Sequence, residues 1–237
     1  MISHVVAAAI RWMMLALVAF AGVAITGRGA AQGLPVIDIM FYRGWLGLVI
    51  MVMAWYAAGR QLTDIHTKRP GLVCVRSATH FVAQFAWLQA LAMIPLAELI
   101  SIEFTAPLWT ALLAPLALGE RMTAARLAAA ALGFCGILVV VRPGSLEIGP
   151  GTIFAFVAAL GFAFHYITAR LLMRTDGAFE LLFLTTLLQA IMATFFVIGS
   201  LQVPTPATAA WVAGLTAIGL VAHYSLTRAF SHADAII

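Results

Sequence analysis

The sequence predicts an all-α integral membrane protein, and three observations carry that prediction. Of 237 residues, 64% are hydrophobic and only 9% are charged, against roughly 25% charged in soluble domains. The mean hydropathy is +1.05; a soluble core of this length cannot bury so much apolar side chain, so the excess faces lipid. Apolar runs of about 20 residues, enough to cross a hydrocarbon core of about 30 Å, also recur along the whole chain. The first of these could pass for a signal peptide. It lacks a Lys/Arg n-region, Arg11 interrupts it and more spans follow, so it is taken as a span.

Eight segments meet the length test, at roughly 5–26, 36–58, 71–93, 96–118, 124–141, 151–172, 178–200 and 207–230. Short Pro/Gly or polar punctuation separates them, including "GRGAAQGLP", "GRQLTDIHTKRPG", "RPGSLEIGPG" and "QVPTP". With the N-terminus in the cytoplasm, the loops after spans two, four and six hold Arg60, Lys68, Arg69, Arg121, Arg126, Arg170 and Arg174, with Arg76 just inside span three. The opposite loops hold only Arg28 and Arg142. Positive charge collects on cytoplasmic loops, so the predicted N-terminus is inside.

The 13 Lys and Arg residues are dispersed and form no basic stripe or nucleic-acid module, which excludes nucleic acid as an expected partner. Cys74 and Cys135 show no metal-ligand spacing; both are read as small core residues outside any disulfide framework. No HExxH, GxSxG or metal-ligand cluster is present, so neither an enzyme, a metal nor a cofactor is expected.

The chain repeats itself. "VAQFAWLQAL" at 82–91 aligns with "VAHYSLTRAF" at 221–230, an offset of 139, and "ITGR" at 25–28 aligns with "ITAR" at 167–170, an offset of 142. Both matches follow from a five-span unit. Because five is odd, the second copy enters the membrane inverted, as in alternating-access carriers whose site lies at the repeat interface. The expected domains are residues 1–143 (spans one to five) and 149–237 (spans six to eight). Ile237 corresponds to about Glu98, so the second copy is expected to be incomplete, with about eight helices of ten present.

"FYRG" at 41–44, "IPLAELISIEFTAPLWTALLAPLALGER" at 94–121 and "GFCGILVVVRPG" at 133–144 resemble the drug/metabolite transporter superfamily, specifically proteins with two EamA domains. The resemblance covers the whole chain. It implies a ten-helix bacterial inner-membrane carrier of small metabolites such as amino acids, nucleobases or cofactors, run by ion or solute gradients. Its implied partners are the lipid bilayer, a small-molecule substrate, a coupling proton or ion and, in some members, a second copy as a homodimer.

Several polar residues within spans are candidates for the site. Glu103 lies about eight residues into its span, roughly 12 Å deep, where an ionised acid costs about 2.5–3.5 kcal/mol unless paired or hydrated. Arg43 lies at matching depth in span two, so the two form either a coupling pair or a static one. Glu98 is nearer the interface and reaches water. Arg76, His80 and Gln84, spaced i, i+4, i+8, share one face of span three with Trp87 nearby, lining a cavity or bonding other helices. His223 takes the Gln84 position in the repeat; His165 and Tyr166 are more isolated. Pro107 leaves the Glu103 carbonyl without its helical donor and kinks span four. Ala125, Ala129 and Gly133 give span five a small-xxx-small packing face, within the monomer or across a dimer. The competing functions are a non-transporting scaffold or sensor, a degenerate fragment and, last, an intramembrane enzyme.

Overall fold

The computed structural model describes residues 2–118, 128, 131–133, 135–136 and 149–233. Among them, eight α-helices follow in order: α1 Ile2–Ala31, α2 Val36–Ala57, α3 Pro70–Met93, α4 Leu96–Glu103, α5 Ala106–Leu118, α6 Pro150–Met173, α7 Ala178–Val197 and α8 Pro206–Ala233. A single 3-10 turn, Leu62–Asp64, lies between α2 and α3, and no strand is present among the described residues.

Proline sets many of the helix starts. Pro70, Pro150 and Pro206 are the first residues of α3, α6 and α8, while Pro35 and Pro95 immediately precede α2 and α4. At the first turn a missing N–H costs nothing, because that donor has no helical partner anyway. Glycine ends α2. Gly59 has φ +72°, its N–H reaches the Tyr56 carbonyl, and the Arg60 N–H reaches back to Trp55. These two bonds occupy carbonyls that the helix end leaves open.

Among the described residues, six stretches are long and apolar enough to cross a membrane: Val6–Ala31, Val36–Ala57, Leu96–Ala117, Pro150–Met173, Ala178–Val197 and Pro206–Phe230. This is a multi-pass membrane protein. Helix α3 has the length but not the composition, since Arg76, His80, Gln84 and Gln89 dilute its apolar residues. The span expected at 124–141 falls mostly outside the described residues, Ala125 and Ala129 included; Gly133 is described and exposed, and no atom of the described residues lies within 4 Å of a Cβ built there.

The span expected as one helix over 96–118 is two. Helix α4 stops at Glu103, Phe104 and Thr105 form a turn, and α5 begins at Ala106. Pro107 has no N–H to donate to the Glu103 carbonyl, and the ladder resumes when Leu108 and Trp109 both donate to Thr105. The cysteines need correction too. Cys74 and Cys135 are free, as expected, but exposed rather than in the core. An apolar residue on a membrane helix is equally well placed on the outer face.

The helices form two compact units, Met1–Ser77 with Leu172–Ile237, and Ala78–Leu171. In the first, α1 packs along α8 and α2 packs on α7. The α2–α7 crossing is tight because Gly44 has no side chain: a Cβ there would lie 2.9 Å from the Ala190 Cα. Polar contacts tie both ends of this unit. At one end Thr67 Oγ1 donates to Asp176 (2.8 Å), the Lys68 N–H donates to the same carboxylate (3.1 Å), and Arg60 pairs with Glu180 at 3.6 Å. At the other, Tyr42 donates to the Gln202 carbonyl (2.9 Å) and the Gln202 N–H donates to Asp38 (3.1 Å). The second unit is built on α3 and α6. A Cβ on Gly161 would lie 2.8 Å from Ala83 Cβ, so these helices also meet backbone to backbone.

Candidate functional site

The second unit gathers most of the polar residues expected from sequence. The Gly161–Ala83 approach brings the facing side chains of α3 and α6 within ring contact. His80 and His165 are both buried and stack face to face, 3.9 Å between centroids and 22° from parallel. Phe162 lies 6.0 Å from His80 and 6.4 Å from Tyr166, and the Tyr166 ring stands edge-on to His165 at 5.9 Å. Gln84 is buried one turn beyond His80 on α3.

Glu103 is the last residue of α4, next to the break. Its Oε2 accepts a hydrogen bond from Trp87 Nε1 at 2.8 Å, and Tyr166 lies within reach of its charge. A hydrogen bond to a charged acceptor contributes about 1.5–3 kcal/mol, of the same order as the insertion penalty of an acid at depth. Glu98, one turn earlier, is half-buried and accepts from Thr152 Oγ1 at 3.0 Å. Among the described residues this unit presents the Glu98 and Glu103 carboxylates, the His80 and His165 imidazoles, the Tyr166 phenol and the Trp87 indole N–H. That set can hold a proton, donate to a ligand and stack against a planar group.

The first unit contains Arg43, Arg76 and His223. Arg76 is buried and donates through Nη1 to Thr185 Oγ1 on α7 at 3.2 Å. Arg43, on α2, carries its guanidinium to α8, where Nη2 would be 3.9 Å from a Cβ on Gly219. His223, one turn further along α8, meets the edge of Phe20 at 5.3 Å. Arg43 thus falls in the first unit and Glu103 in the second, where Trp87 is its partner.

His165 and Tyr166, more isolated in the sequence, are brought into one ring cluster with His80 and Phe162. The signal that could have found them was Gly161, one turn earlier on the same helix, which marks where another helix approaches.

A family model described as the EamA-like transporter family matches residues 7–142. The chain belongs to the EamA-like transporter family. Among its curated relatives is an S-adenosylmethionine uptake transporter of Rickettsia bellii, 23% identical over 95% of this chain and 77% of that protein. A riboflavin transporter of Rhizobium johnstonii is 29% identical over 94% and 74%. A pseudopaline exporter of Pseudomonas aeruginosa is 28% identical over 88% and 73%. A solved crystal structure shares the fold with a TM-score of 0.72 at 18% identity, covering 94% of this chain and 79% of its own. This EamA-type protein is therefore a membrane transporter of small molecules, not an enzyme, with the bilayer and its substrate as partners.

Proposed function

We propose that this EamA-type protein is a secondary, gradient-driven carrier of a small metabolite such as an amino acid, nucleobase or cofactor. It works by alternating access between two inverted repeats, residues 1–143 and 149–237, in a bacterial inner membrane with the N-terminus inside. The observation that carries the reading is the placement of Glu103. A carboxylate in a membrane span, at a helix break and held by one indole N–H, is suited to exchanging a proton or a ligand group.

The packing supports the inverted repeat. A two-fold relation that exchanges span one with six and three with eight requires any contact between one and eight to recur between six and three. Helix α1 does pack on α8, and α3 meets α6. A Phe–His ring contact also occurs in each unit, Phe20 with His223 and Phe162 with His80. The ties among the loop after α2, Asp176 and Glu180 place the loops after spans two and six at one end, in keeping with the distribution of positive charge. The uptake and export activities named for the relatives span both directions, so direction is left open.

The test is counterflow in proteoliposomes of the full-length protein, with labelled S-adenosylmethionine, riboflavin, amino acids and nucleobases as probes. A carrier gives saturable flux stimulated by unlabelled probe on the far side, and accumulation when a proton or sodium gradient is imposed. Flux without counterflow stimulation would make it a pore; no flux of any probe favours the scaffold or sensor.

A further inference from the structure

The break between α4 and α5 leaves backbone oxygens open inside Leu96–Ala117, a stretch otherwise apolar enough to cross a membrane. Pro107 cannot donate to the Glu103 carbonyl. The Leu108 N–H, which would reach Phe104 in a continuous helix, goes to the Thr105 carbonyl instead at 2.9 Å. Among the described residues neither the Glu103 nor the Phe104 carbonyl accepts a backbone N–H. The Glu103 side chain leaves the chain at the same point. Its carboxylate accepts from Trp87 Nε1 at 2.8 Å and, among the described residues, forms no ion pair. Beyond it the groups are engaged: Thr105 Oγ1 donates to the Ile102 carbonyl at 2.6 Å and accepts from Trp109 Nε1 at 3.2 Å.

Three features of one sign coincide there. A carboxylate on the last residue of α4 adds to the partial negative charge that carbonyls place at a helix C-terminus. The two open carbonyls extend it. At membrane depth such backbone groups persist only where they are buried in protein or line a water-filled cavity, because lipid offers them no donor. The Trp87 indole N–H orients the acid but brings no net charge to answer it. A carboxylate beside the carbonyls of an interrupted helix is the oxygen set that takes up cations in membrane carriers.

We infer that the α4–α5 break is a binding site for a monovalent cation, with the Glu103 carboxylate as its charged ligand and the Glu103 and Phe104 carbonyls as neutral ones. One carboxylate balances one positive charge, which makes a monovalent cation the fitting class. Trp87 is a positioning residue that holds the carboxylate in place. The inference rests on the carrier reading of Glu103 and deepens it. What exchanges at this acid is a positive charge, brought by a coupling metal ion or by an ammonium group of the transported molecule; both present the same chemistry to the site.

The test measures binding rather than flux. The full-length protein in neutral detergent is held at constant ionic strength in N-methylglucamine chloride. That salt is exchanged stepwise for sodium, potassium or methylammonium chloride while the melting temperature is followed. At least one of the three should raise it saturably. Glu103→Gln should raise the half-saturating concentration by about tenfold or more, the effect of losing a charged ligand. Glu103→Asp, which keeps the charge on a shorter arm, should retain part of the response and guards against a simple folding defect. Pro107→Ala returns an N–H to the Glu103 carbonyl; it should stabilise the cation-free protein and raise half-saturation by about threefold or more. A response to sodium or potassium alone supports the site and assigns the cation to coupling. A response to methylammonium alone supports it and assigns the charge to the transported molecule, and a response to both kinds supports a site that the two share. A melting temperature unmoved by all three salts, or a response unchanged in either Glu103→Gln or Pro107→Ala, would overturn the inference. Counterflow without any cation response would leave the carrier standing and remove the site; a cation response without counterflow would do the reverse.

Discussion

His80 and His165 lie ring on ring, 3.9 Å between centroids and 22° from parallel, on two different helices of one compact unit. The contact exists because Gly161, one turn before His165, lets α6 reach Ala83 of α3 without an intervening side chain. Enlarging that glycine should therefore separate the imidazoles. Gly161→Val is expected to lower transport strongly at near-normal abundance, and cross-linking of cysteines placed at 80 and 165 should fall with it. Normal cross-linking in the valine variant would show that the crossing does not set the ring stack.

Glu103→Gln should abolish gradient-driven accumulation while leaving membrane insertion and abundance close to wild type. The amide keeps the size of the side chain and can still meet Trp87, so only the charge and the exchangeable proton are lost. Accumulation at the wild-type level would remove Glu103 from coupling and leave it as a packing residue.

Trp87→Phe isolates the indole N–H. It preserves most of the ring but deletes the donor that lies 2.8 Å from Glu103 Oε2. We expect a loss of about 1.5–3 kcal/mol in the stability of the charged acid, seen as a displaced pH dependence of transport with little change in protein yield. An unmoved pH profile would mean that water or another group supplies the same bond.

Arg43→Ala tests whether the matching depth of Arg43 and Glu103 in the sequence reflects mutual compensation. If each offsets the other's charge, Arg43→Ala loses thermal stability that the Arg43→Ala/Glu103→Gln double variant recovers. Additive losses would show that the two residues act independently.

Gly44→Val is the packing test in the first unit. Its added Cβ would press on the Ala190 backbone at 2.9 Å, and backbone cannot swing aside as a long side chain can. Overpacking of this kind costs about 1–3 kcal/mol, read as a lower unfolding temperature by fluorescence-detected size exclusion. Gly133→Val, where a Cβ meets nothing within 4 Å, is the matched control and should stay within about 0.5 kcal/mol.

The helices were legible in the sequence where hydropathy and proline agreed. Val36–Ala57, Pro150–Met173 and Pro206–Ala233 begin within one residue of the starts predicted from composition, because Pro35, Pro150 and Pro206 each fix an entry. The division of 96–118 was half legible: Pro107 announced the lost bond, but whether a span bends or splits depends on how the freed groups are satisfied. Here Thr105 accepts for two donors at once, a solution no spacing pattern encodes. Polar residues were found readily, since each is conspicuous in an apolar segment. Their partners were not, because partnership depends on which glycine meets which backbone. Trp87 was named only as a neighbour of the polar stripe, and its bond to Glu103 joins helices on either side of a short turn. Which way Cys74 faces was equally closed to inference, as lipid and protein interior are alike to a thiol.

The turn at Phe104 and Thr105 has a mechanical consequence. A continuous helix is a stiff rod that transmits twist and thrust along its length through an unbroken ladder of hydrogen bonds. With that ladder cut, α4 and α5 become two levers joined at a pivot, and Glu103 sits at the end of one of them. A small tilt of α4 can then move the carboxylate while α5 keeps its station in the bilayer, so a change in load on one side chain becomes a displacement of a whole helical segment.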